Sequence, residues 1–123
     1  MKKKTNPKDL LGLDKVPILA QSPASIIYEA LGMWDGTKKY GRYNWRKNKV
    51  VASIYVDAAF RHLLAWYDRE ELARDSKVPH LGHAKACLGI LADAIETGNL
   101  VDDRPPRGRA GELLEKWKRS KKK

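Results

Sequence analysis

An all-α fold is what this sequence predicts, and three observations carry it. Apolar residues recur at helical spacing in three long stretches. Those stretches have start or stop chemistry at their ends. No segment shows the apolar–polar alternation of a half-buried strand. At 123 residues the chain is one domain's worth, with a modest core. The expected architecture is a small bundle of three main helices plus a C-terminal helical turn, with flexible basic termini.

Taken in order, residues 1–21 show little periodicity. Pro7 and Pro17 favour an extended leader, in which DLLGL can pack as a short turn. The first main helix starts at Ser22, a capping residue, with Pro23 suited to the first helical position. Ile26, Ile27, Ala30, Leu31 and Trp34 form its apolar stripe, and DGT at 35–37 is expected to end it through Gly36. Residues 38–47, KKYGRYNWRK, then read as a loop. A long helix is expected from Asn48 to about Glu70, with Val51, Tyr55, Ala58, Ala59, His62 and Trp66 on one face. Ile54, Phe60, Leu63 and Leu64 widen its apolar surface and make it the expected centre of the fold. An acidic connector leads to Pro79, which suits a helix start. The third helix covers residues 80–97, with Leu81, Ala84, Leu88, Leu91 and Ile95 inward and Gly98 closing it. DDRPPRGR at 102–109 reads as a linker, and the last residues can form one or two amphipathic turns. The chain thus divides into a flexible basic leader (1–15), a helical domain (16–100) and a basic tail (101–123). Three helices of these lengths bury little surface alone, which points to a homo-oligomer.

The net charge of +10 resides in the ends. Residues 1–8 carry four lysines and no acid, and residues 104–123 carry nine Lys or Arg against Glu112 and Glu115. The body between is close to neutral, with 12 cationic residues against 13 acidic ones. Such tails make weak, salt-sensitive contacts with nucleic acid, or serve solubility. A single cysteine, Cys87, excludes an intrachain disulfide. No apolar run has the length to cross a bilayer, so no membrane partner and a cytoplasmic location are expected.

Four groupings bear on chemistry. In the connector, Glu71 and Asp75 stand one helical turn apart beside Glu70, and Asp93 follows one helix later. Carboxylates gathered near a phosphate bind Mg²⁺, while a solvated helix end carries the same pattern. His80, His83 and Cys87 have the form H-x2-H-x3-C, but three zinc ligands converge poorly from one straight helix. His62 lies on the apolar stripe, where a histidine is more often a satisfied core residue than a catalyst; Arg61 beside it points elsewhere and could reach a phosphate. Residues 38–47 mix five cations with Tyr40, Tyr43 and Trp45. Lys39, Arg42 and Arg46 suit phosphate, and flat rings suit a base. Composition equally allows rings that pin a loop to the core while cations face water. No P-loop, GxGxxG or serine elbow is present.

KKYGRYNWRK, followed by SIYVDAAFRHLLAW and HLGHAKACLGIL, resembles the family named for the N-terminal domain of phage dATP/dGTP diphosphohydrolases, over about residues 16–95. That family's pattern reads G-x-KYG-x-x-NWR, a helix ending RH-x-x-AW, an acidic connector, then HL-x-HA. The resemblance implies hydrolysis of a purine dNTP to dNMP and pyrophosphate, in the company of all-α, Mg²⁺-dependent MazG-like enzymes. Joined to the carboxylates of the connector, this reading has Mg²⁺, or Mn²⁺, held by Glu70, Glu71 or Asp75, with Asp93 as a further ligand. Lys39, Tyr40, Arg42, Asn44, Trp45, Arg46 and Arg61 would bind substrate, and His62, Glu70, His80 and His83 would serve catalysis. The chain departs from the pattern at Arg69, where Gly is usual, at Ala73, commonly Asp, and at Lys77, usually Gly. The MazG-type E-E-x-x-E is also missing, since EELAR has only the pair. The alternative is a non-catalytic phage protein that binds nucleotide or nucleic acid through residues 38–47 and its tails.

Overall fold

The computed structural model describes residues 6–120. In chain order, α1 (Pro7–Leu13) and a 3₁₀ turn (Ile18–Ala20) lead into α2 (Pro23–Tyr40), the short α3 (Asn44–Lys47) and β1 (Val50–Val51). Then follow α4 (Ala52–Tyr67), α5 (His80–Glu96), β2 (Leu100–Val101) and α6 (Ala110–Lys116). The fold is all-α apart from the small parallel pair β1–β2. Of the expected flexible ends, residues 1–5 and 121–123 lie outside the described part. The rest of the leader forms α1, capped by Asn6. No described helix is long and apolar enough to cross a membrane.

α5, rather than the expected α4, is the central helix: α2 and α4 both pack along it. The reason is the size of its residues. Gly82, Ala84, Ala86 and Ala94 are buried, and such small side chains let two neighbours approach closely. Against α2 the backbones nearly touch, since a Cβ on Gly32 would stand 2.6 Å from the Gly82 carbonyl oxygen. Leu88 and Ile95, expected inward, are 53% and 59% exposed.

α2 begins as expected, with Ser22 Oγ accepting from the Ser25 N–H and Pro23 in the first turn. It does not end at residues 35–37. Gly36 is helical and the helix runs to Tyr40, because the residue that supplies the turn is Gly41, at φ +93°. Its buried residues are Gly32 and Asp35, and the stripe Ile26–Trp34 faces largely outward. The expected loop is therefore a helix end, three connecting residues and α3.

α4 starts at Ala52 rather than Asn48. Val50 and Val51 instead pair in register with Leu100 and Val101, and Val50 is wholly buried. Asp103, in the expected linker, accepts from the Ser53 backbone N–H at 2.8 Å and so holds the start of α4. The helix ends at Tyr67, ahead of the expected Glu70, and Trp66 is 37% exposed. The connector 68–79 folds back on itself: Ala73 N–H donates to the Val78 carbonyl, and His80 N–H to that of Glu71. Arg69 and Lys77 lie at φ +78° and +63°, the left-handed region that favours glycine. These are the two positions at which the family pattern has Gly.

Candidate active site

A pocket of about 400 Å³ opens between α2, α4 and α5, with α3 at its rim. Lys39, Tyr40, Asn44, Trp45, His62, Asp75 and His83 line it among the residues expected at a site. Asp35, Tyr55 and Cys87 complete its chemically distinctive wall.

Three histidines gather at one side. His62, from α4, stacks on His83 with ring centroids 4.7 Å apart and meets His80 at 5.1 Å. Its Nδ1 is 2.8 Å from His80 Nδ1, and His80 Nε2 is 2.7 Å from Glu70 Oε2. Glu70 also accepts from Arg74 Nε at 2.8 Å. The hydrogen bond from His80 and that from Arg74 lower the Glu70 pKa, so the carboxylate is ionised at neutral pH and only accepts. His80 Nε2 must then donate. Of the two facing Nδ1 atoms one donates and one accepts; with the donor on His62, its Nε2 keeps a lone pair. Burial, reinforced by the neighbouring His83 and His80, lowers the His62 pKa to about 4, so its ring is neutral at pH 7. The result is a pocket-lining imidazole oriented by a second imidazole and a carboxylate.

His83 is held separately, its Nε2 lying 2.7 Å from Ser76 Oγ, and burial lowers its pKa. Burial raises the Cys87 pKa, which keeps this thiol protonated and unreactive.

Opposite stands Lys39, whose Nζ lies 2.9 Å from Asp35 and 3.3 Å from Asp75. The Asp35 interaction is the main cause of its raised pKa. Asp35 itself is 9% exposed and projects from the buried side of α2. Trp45 and Tyr40 supply ring surface at the rim, and the Trp45 Nε1–H is taken by Asp93 at 2.7 Å.

Arg46 and Asp93 form a two-pronged ion pair at 2.8 and 2.9 Å that ties α3 to α5. Neither lines the pocket, nor do Arg42, Arg61 and Glu71. The four carboxylates expected to share a metal therefore divide: Glu70 serves the histidines, Asp75 meets Lys39, Asp93 meets Arg46, and Glu71 contributes its backbone. Among the described residues no three His, Cys, Asp or Glu side chains are grouped to hold a metal ion. Ala73, 3% exposed, adds no ligand at the connector position that is commonly Asp. As arranged, this donor set does not fit a resident Mg²⁺.

Sequence reasoning missed Asp35 and Ser76. Asp35 precedes Lys39 by one helical turn, a legible pair once α2 is carried past Gly36. Nothing in the local pattern marks Ser76.

Fold and site together define an all-α protein with a histidine-lined pocket between helices. Residues 5–104 match the family described as dATP/dGTP diphosphohydrolase, N-terminal. The chain belongs to that family. Neither the curated proteins nor the solved structures contain a match to it.

Proposed function

We propose that the pocket binds a purine deoxynucleoside triphosphate, dATP or dGTP, and cleaves it to dNMP and pyrophosphate. The family membership supports the reaction class. The observation that carries the reading to these residues is the Glu70–His80–His62 chain, which ends at the pocket wall. Such a chain is what a general base requires, namely an acceptor nitrogen fixed in tautomer and direction.

In this reading water attacks the α-phosphorus as the bond to the bridging oxygen of the β-phosphate breaks, and pyrophosphate departs. His62 Nε2 takes the proton of the attacking water. Glu70 and His80 position that nitrogen and stabilise the imidazolium that forms. Lys39 offsets charge on the phosphates, and Tyr40, Trp45 and Tyr55 give the base a flat apolar seat. Mg²⁺ enters as part of the substrate, the Mg–nucleotide complex, and neutralises phosphate charge. Arg46 has no place in this scheme, being committed to Asp93.

The test is incubation of purified protein with each dNTP and Mg²⁺, with products separated by chromatography. Formation of dAMP or dGMP with pyrophosphate is expected. Absence of product at high protein concentration refutes the hydrolytic reading, and a positive binding assay with the same nucleotides would then leave a nucleotide-binding module.

A further inference from the structure

Asn44 lines the pocket at its rim, in the same wall as the rings of Tyr40 and Trp45. It is the first residue of α3, and that short helix is held from several sides. Asp93 takes the Trp45 Nε1–H at 2.7 Å and both prongs of Arg46 at 2.8 and 2.9 Å. The Asn99 side-chain amide donates to the carbonyl oxygens of Trp45 and Asn48. The rim is thus built before any ligand arrives, and its polar groups keep their direction when one does.

The Asn44 amide has a fixed sense. Asn48 Nδ2 lies 2.6 Å from Asn44 Oδ1 and 3.5 Å from the Asn44 carbonyl oxygen. Turned over, the Asn48 amide would set its own oxygen against that carbonyl, acceptor against acceptor. Asn48 therefore donates and Asn44 Oδ1 accepts. The Asn44 Nδ2–H₂ donates to none of the described residues and is left for a ligand. Neighbouring acceptors are already committed: the Asn44 carbonyl also receives the Asn48 backbone N–H, and that of Trp45 receives Asn99. Tyr55, also in the wall, carries a hydroxyl that donates and accepts alike, so it does not discriminate. Among these groups the rim offers a directed donor and no directed acceptor.

We infer that Asn44 reads position 6 of the purine and selects guanine over adenine. This rests on the nucleotide reading above, with the base seated against Tyr40 and Trp45. Guanine carries an acceptor, O6, at position 6, beside a second acceptor at N7; adenine carries the N6–H₂ donor there. The Asn44 Nδ2–H₂ completes a hydrogen bond with the first. Against the second, donor faces donor, and both lose water without gaining a partner. The preferred substrate class is therefore a 6-oxopurine deoxynucleoside triphosphate.

Calorimetric titration of the full chain with Mg²⁺ and the α,β-methylene analogues of dGTP, dITP and dATP tests this without turnover. The dGTP and dITP analogues share O6 and N7, and should bind alike and about tenfold more tightly than that of dATP. Asn44→Asp keeps an oxygen for Asn48 and turns the free donor into an acceptor. The ratio of affinities should then swing towards dATP by about tenfold, while the added charge weakens all three. Equal affinities for dGTP and dATP, a preference for dATP, or dITP behaving as dATP does overturns the inference and leaves the nucleotide reading standing. Binding of none of the three refutes both. Should the aspartate variant fail to fold, the three ligands on the natural chain decide.

Discussion

Replacing Gly32 by alanine should destabilise the protein, while the same replacement at Gly36, four residues on in the same helix, should stabilise it. Alanine is better than glycine in a helix interior by about 0.8–1.0 kcal/mol, and that gain is common to both sites. At Gly36 nothing lies within 4 Å of the added Cβ, so most of the gain should appear. At Gly32 the Cβ would stand 2.6 Å from the Gly82 carbonyl oxygen and 3.1 Å from the Ala86 Cβ. The obstacle is backbone of α5, which cannot rotate away as a flexible side chain would. The two helices must therefore separate, and a gap of about 0.5–1 Å forfeits a quarter to a half of the dispersion attraction along their seam. Overpacking of this kind costs about 1–3 kcal/mol. After the propensity gain, Gly32→Ala should lose up to about 2 kcal/mol, a spread of about 1–3 kcal/mol between the variants. Urea denaturation followed by far-UV circular dichroism, at one protein concentration, measures both. Equal stability of the two variants would refute the close glycine-mediated contact of α2 with α5.

Other outcomes follow from the same geometry. Arg69→Gly and Lys77→Gly relieve positive φ angles and should each raise stability by about 0.5–1 kcal/mol, read as a higher denaturation midpoint. His62 has a folded pKa of about 4 against about 6.5 unfolded, so between those values the unfolded chain binds the extra proton. Stability should therefore fall as pH drops from about 7 towards 4, by about 2 kcal/mol once solvent screening of this half-buried ring is allowed for. His62→Gln should flatten that slope in pH-dependent melting. Lys39→Met should raise KM for the nucleotide about tenfold, through loss of a charge-assisted phosphate contact, as measured by initial rates.

Much of the fold was legible because its signals are local. Ser22 and Pro23 mark the start of α2, and Pro79 with Gly98 brackets α5 to within a residue. The site histidines were legible too: the connector turns back and brings Glu70, His80 and His83 to His62 across 21 residues or fewer. What was missed depends on partners distant in sequence. The β1–β2 pair joins residues 50 positions apart, and nothing near Val50 announces it. Leu88 and Ile95 of α5 were read as inward because large apolar residues usually are. Here the buried positions of α5 include Gly82 and Ala86, whose small size carries little hydrophobic signal. Gly36 was read as a stop because glycine weakens a helix, yet its cost is only about 1 kcal/mol and α2 carries it. Arg46 suited a phosphate by composition, and only the tertiary arrangement shows Asp93 holding it.

The most direct test of the central claim is pyrophosphate release from dATP and dGTP with Mg²⁺, compared among the natural chain, His62→Ala and Glu70→Gln. The account predicts turnover by the natural chain, a loss of about 10²–10⁴-fold for His62→Ala, and a smaller loss for Glu70→Gln, which acts through His80. Turnover unchanged in both folded variants would contradict it.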